Sequence, residues 1–110
     1  VEGLASAHGA GWSIDYERKC PVTSNHDSET DHAIGVASSI VGAANVDANV
    51  EPTMAGEDFA FMLKRRPGAF IFIGNGDTAA LHNPNYDFDD EALAYGISYW
   101  VKLTEQRLSP

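Results

Sequence analysis

Ala69-Phe70-Ile71-Phe72-Ile73 is apolar at every position, and Gly74-Asn75-Gly76-Asp77 breaks it off. A strand with one wet face alternates; a run without alternation is most simply buried on both faces, as in a parallel α/β sheet. Just before it, Phe59, Met62 and Leu63 share one face of a short predicted helix. Lys64, Arg65 and Arg66 fall at that helix's last turn, where they complement its dipole, and Pro67-Gly68 ends it. After the run, a long loop (78–87) leads to a last predicted helix opening at Asp89-Asp90-Glu91. Leu93, Ile97, Trp100 and Leu103 recur on it as the expected buried stripe, worth about 1.5–3 kcal/mol per large side chain.

Farther upstream the pattern changes. Residues 1–8 read as the tail of a helix. Trp12, Ile14 and Tyr16 alternate with Ser13, Asp15 and Glu17, which predicts a strand buried on one face. Cys20-Pro21 stops it, because proline has no N–H for a sheet ladder. Ser28 and Asp31 suggest a weak capping box, and Ala33, Val36, Ala37, Ile40 and Val41 then recur at helical spacing up to Gly42. This half reads as an antiparallel sheet covered on one side by helices. The two packing environments put a boundary near residues 50–54. Two half-domains within 110 residues predict a piece of something longer.

Composition narrows the partners. Sixteen acidic against seven basic side chains give a net charge of −9, which repels phosphate backbones and anionic lipid. Nucleic acid and membrane are therefore not expected partners. Cys20 is the single cysteine, so neither an internal disulfide nor a multi-cysteine zinc module is available. No apolar run approaches the roughly 18 residues of a membrane span and no secretory signal pattern opens the chain, so the expected compartment is the cytoplasm.

In open α/β sheets ligands bind beyond the carboxyl ends of the strands, and the loop after Ile73 leaves such an end. Between Gly74 and Glu91 it carries His82, three asparagines and five carboxylates, with Pro84 restricting the backbone. An imidazole there suits a metal or general-base role; the bland alternative is a loop histidine bonded locally beside a capped helix. Other clusters say less. Asp87, Asp89 and Glu91 lack the glycine and terminal glutamate of an EF-hand. Gly74-Asn75-Gly76 is too short to cradle phosphate. His26, Asp27 and His32 straddle a helix start. Ser24, Ser28 and Ser38 sit in no nucleophile elbow, and Cys20 has no base nearby in sequence.

Met54-Ala55-Gly56-Glu57-Asp58-Phe59, Pro67-Gly68-Ala69-Phe70, Gly74-Asn75-Gly76 and Leu81-His82-Asn83-Pro84-Asn85-Tyr86-Asp87-Phe88-Asp89-Asp90 follow one another in an order and spacing that is informative as a set. Together they closely resemble the C-terminal end of the dinuclear metal amidohydrolases, the hippurate hydrolase, aminoacylase and indole-acetyl-amino-acid hydrolase group of metallocarboxypeptidases. The stretch from Tyr16 to Asn25 and the helix after it resemble the last strand and helix of that family's lid domain.

The resemblance implies an α/β fragment. Residues 1–50 would end a ferredoxin-like (α+β) lid, and residues 51–110 would be the C-terminal part of a helix-flanked, mostly parallel catalytic domain. It implies hydrolysis of the amide bond of N-acyl amino acids or small peptides with two divalent metal ions, zinc or manganese. His82 would be a metal ligand. Asn25, Gly56 and Glu57 would lie near the substrate, while Asp58, Asp77 and Asp87 would brace the site. The remaining ligands and the general-base glutamate would come from the N-terminal remainder of the polypeptide, so no catalytic residue is expected here and the fragment alone should be inactive. Family members commonly dimerise through the lid, which implies a homodimer; if the Trp12–Tyr16 strand lies at the lid's edge, its unpaired backbone is the expected seam. Cys20 stands where relatives often have an aromatic. Two other readings remain open at this point: a non-enzymatic dimerisation or small-ligand module derived from the fold, and a calcium-binding acidic domain.

Overall fold

The computed structural model describes residues 1–108. Helix α1 spans Glu2–Ala7, α2 Asp27–Val41, α3 Phe59–Leu63 and α4 Glu91–Leu108, with a 3-10 turn at Ala43–Asn45. The helical spacing read from Ala33, Val36, Ala37 and Ile40 is realised in α2, whose end at Gly42 adopts φ 82°, a conformation glycine takes without a Cβ penalty. The expected capping box does not form. His26 is the N-cap, Ser28 lies inside the helix, and Thr30 Oγ1 donates to His26 O at 2.9 Å.

Helices α2 and α4 meet in the main core. Ala33 (4% exposed) and Val36 (1%) of α2 pack against Tyr99 (7%) of α4, with Ala37, Ile40, Ala69 and Leu103 around them. Residues from both sides of the expected boundary share this cluster. Burial pushes the Tyr99 hydroxyl above the ordinary tyrosine range. Glu29 and Arg107 face each other across the same helix pair at 3.8 Å. Val36→Ala should lower the unfolding free energy by about 2 kcal/mol, through lost transfer energy and the cavity left behind. A urea midpoint unchanged by the substitution would show that the α2–α4 contact does not hold the chain together.

Two sequence expectations fail here. Among the described residues neither 12–16 nor 69–73 forms a strand. Trp12, Ile14 and Tyr16 stand in solvent together with the polar residues between them, because no neighbouring segment offers a ladder. At 69–73 the backbone finds substitutes for a sheet partner. Asn25 Nδ2 donates to Phe70 O (2.9 Å), and Phe70 N–H donates to Asn25 Oδ1 (2.7 Å). One residue on, His26 N–H donates to Gly68 O (3.1 Å) and Gly68 N–H donates to His26 Nδ1 (3.3 Å). The run then leans on α3: Phe70 packs at a tilt on Phe59 and edge-to-face with Phe72, with centroids 5.6 and 5.2 Å apart. Gly68 approaches so closely that an added Cβ would sit 3.1 Å from Leu63 Cδ2.

The expected stripe of α4 is also corrected. Leu103 is partly buried, but Leu93, Ile97 and Trp100 are 52%, 63% and 64% exposed, and Tyr99 is the residue that enters the core. The helix is apolar on two faces, and α2 covers only one. The other lines an open groove of about 490 Å³ with Ile73, Asn75 and Phe88. The chain is accordingly extended, with a radius of gyration of 20.1 Å against about 13 Å for a compact domain of this length. Its accessible surface is 9299 Å², where compact monomers of this mass expose about 5,900 Å².

Candidate functional site

The loop between Ile73 and α4 is stapled at its base by one side chain. Asn75 Nδ2 donates to Asp87 O (2.7 Å), and Asp89 N–H donates to Asn75 Oδ1 (2.8 Å). Thr78 Oγ1 adds a third tie by accepting Asp87 N–H at 3.1 Å. Asp89 continues the connection into α4, because its Oδ1 accepts Glu91 N–H at 2.9 Å and satisfies an amide that has no intrahelical partner. Gly76 lets the chain turn directly above, at φ 71°, where an added Cβ would lie 3.6 Å from Asp89 Oδ2.

His82 sits at the far end of this loop. Asn83 N–H donates to Ala80 O (3.1 Å), closing a turn in which His82 is the third residue. Its φ is 66°, the only positive value at a non-glycine position among the described residues. For an L-residue this conformation costs about 1–2 kcal/mol, and such strain persists only where the surroundings impose it. A second turn follows at once, closed by Tyr86 N–H to Asn83 O (3.0 Å) and by Asn85 N–H to Asn83 Oδ1 (2.9 Å). The imidazole is thus carried on consecutive tight turns and held out to solvent.

The other sequence-derived positions are more dispersed. Asp77 and Asp87 share the loop with His82 and are exposed; Asp87 is fixed through its backbone rather than its carboxylate. Glu57, half-buried, accepts Phe59 N–H on Oε1 at 3.2 Å and so caps α3, while the Asp58 side chain makes no cap bond. Gly56 lies against Cys20, whose Sγ would be 3.6 Å from an added Cβ. Asn25 has both ends of its amide engaged by Phe70. Among the described residues no three histidine, cysteine, aspartate or glutamate side chains gather as a metal centre would need. The donors of this chain therefore do not by themselves fit a two-metal site; His82 is a single candidate ligand. Sequence reading overlooked Asn75 and Thr78 as braces. The glycines flanking Asn75 mark a turn, but no local pattern announces bonds to Asp87 and Asp89.

No helix among the described residues is long and apolar enough to cross a membrane. No solved structure matches the chain. Sequence relatives do. Over 93% of its length the chain is 37% identical to a hippurate hydrolase of Campylobacter jejuni, covering 27% of that protein. It is 35% identical over 84% of its length to a putative amidohydrolase of Bacillus subtilis, and 31% identical over 94% to an N-acetylcysteine deacetylase of the same organism. The chain spans about a quarter of the length of these relatives, 24% to 27%. The model of peptidase family M20/M25/M40 matches residues 6–106. That span takes in every block on which the amidohydrolase resemblance was read, from Tyr16 to Asp90, and the chain belongs to this family.

Proposed function

We propose that the chain is part of a metal-dependent amidohydrolase that adds water across the amide bond of N-acyl amino acids or small peptides, releasing a carboxylate and an amine. The family match over residues 6–106 carries this reading. The relatives' names, hippurate hydrolase and N-acetylcysteine deacetylase, point to N-acyl amino acids as the substrate class. In this reading His82 is one ligand of a centre whose other ligands and general base lie in the N-terminal remainder of the polypeptide. Two zinc or manganese ions there would polarise the carbonyl and activate water.

This chain's own part is to present and hold. The positive-φ turn presents the imidazole, and the loop carboxylates Asp77 and Asp87 lie on the same stretch to orient it. Gly56 and Glu57 precede α3 on the substrate side, and Asp58, the N-cap residue with no cap bond of its own, is left to brace the assembled site. Asn25, exposed, keeps one amide N–H and one carbonyl lone pair beyond its two bonds to Phe70, and these are what it would offer a substrate. Pairing of two copies along Trp12–Tyr16, a cytoplasmic location and a lid–catalytic division near residues 50–54 belong to the same reading.

Metal removal tests it. Dialysis of the complete enzyme against a chelator should abolish hippurate and acetyl-amino-acid hydrolysis, and zinc or manganese, but not calcium, should restore it. Turnover that survives exhaustive chelation would contradict the metal-dependent reading.

A further inference from the structure

We propose that Asn75 is a positioning residue that fixes the placement of His82 for metal binding; the inference rests on His82 being a ligand. The Asn75 amide makes two bonds of opposite sense, to Asp87 O at 2.7 Å and from Asp89 N–H at 2.8 Å, across 12 and 14 residues of chain. A single hydrogen bond leaves a loop free to swivel about it. Two from one planar amide set both the separation and the orientation of the segments they join. Asp89 is itself anchored on the first turn of α4 through Glu91 N–H, so the clamp refers the loop to a long helix. Thr78 Oγ1 ties the same segment from the other side through Asp87 N–H. Between Thr78 and Asp87 the chain passes through two tight turns, Ala80–Asn83 and Asn83–Tyr86, with His82 at φ 66° in the first. With the clamp cut, the loop gains conformations in which His82 leaves the left-handed region, and a metal would have to reorder it on binding.

The test uses the complete enzyme with Asn75→Ala, Asn75→Asp, Thr78→Val and His82→Ala. Three quantities are read: the rate of zinc loss to a chelator, hydrogen exchange at the Asp87 and Asp89 amides of the metal-free protein, and the melting temperature. Asn75→Ala should lose zinc about tenfold faster, the scale of effects from residues that orient a ligand, while the melting temperature stays near that of the parent. Asn75→Asp keeps the acceptor for Asp89 N–H and loses the donor to Asp87 O, so it should protect the Asp89 amide yet still release zinc faster. Thr78→Val should speed exchange at Asp87. If Asn75→Ala does not fold, Asn75→Asp and Thr78→Val are read by the same measurements.

Unchanged zinc release in Asn75→Ala, with fast release in His82→Ala, would overturn the positioning role and leave the ligand reading standing. Unchanged release in His82→Ala would instead defeat the ligand reading. The exchange data then judge the clamp by itself, and parent-like protection at Asp89 in Asn75→Ala would overturn it too.

Discussion

Purified alone, the 110 residues will not hydrolyse hippurate or acetyl-amino acids in the presence of zinc or manganese, and they will self-associate. Against an active amidohydrolase this is a loss of at least about six orders of magnitude, a return to the uncatalysed rate. The reason is the count of ligands. A catalytic zinc takes about three protein ligands and a two-metal centre more, and no such group forms among the described residues. Association follows from the groove along α4. Ile73, Phe88, Leu93, Ile97, Trp100 and Val101 are each 46% to 64% exposed and line one continuous cleft. Apolar patches of this kind rarely stay open on a monomer. Sedimentation at tens of micromolar and a direct hydrolysis assay check both halves of the expectation. Metal-dependent turnover that co-purifies with the 110-residue chain, and disappears in His82→Ala, would mean that a complete site is present within it.

In the complete enzyme, His82→Ala should lower bound metal and cut turnover at least about tenfold. Alanine also inherits the strained φ of 66°, so His82→Gly is the informative companion. Glycine relieves the backbone and still removes the imidazole. Both variants should lose metal alike. If His82→Gly keeps full metal content and activity, the side chain has no part in the centre, and the strained turn would need another explanation.

The residues that were legible in the sequence are those whose pattern is local. The apolar spacing Ala33-Val36-Ala37-Ile40 and the glycine at 42 mark α2 and its end without reference to anything distant. The acidic cluster before Glu91 marks the start of α4. The blocks around Gly56, Gly68 and His82 carry family membership, and with it the α/β class. Strands are not legible in this sequence for a physical reason. A strand exists only with a partner, and among the described residues the backbone of 68–70 pairs with the side chains and backbone of Asn25 and His26 instead. The buried face of α4 is ambiguous in the sequence because the helix has two apolar faces. Which one α2 covers depends on docking, and Tyr99 rather than Ile97 or Trp100 met it. At the loop, histidine beside Asn-Pro was conspicuous, whereas the side chain that closes the loop was not. Asn75 acts across 12 and 14 residues, beyond the reach of any short pattern.

We propose His82 as the metal-contacting residue this chain brings to its enzyme. The distance from its ring to the metal in a crystal structure of the complete, zinc-loaded protein tests that claim most directly. One imidazole nitrogen is expected at about 2.0–2.1 Å from a zinc ion, with Asn75 still bridging Asp87 and Asp89 beneath it. A fully occupied zinc centre with the His82 ring outside coordination distance would contradict it.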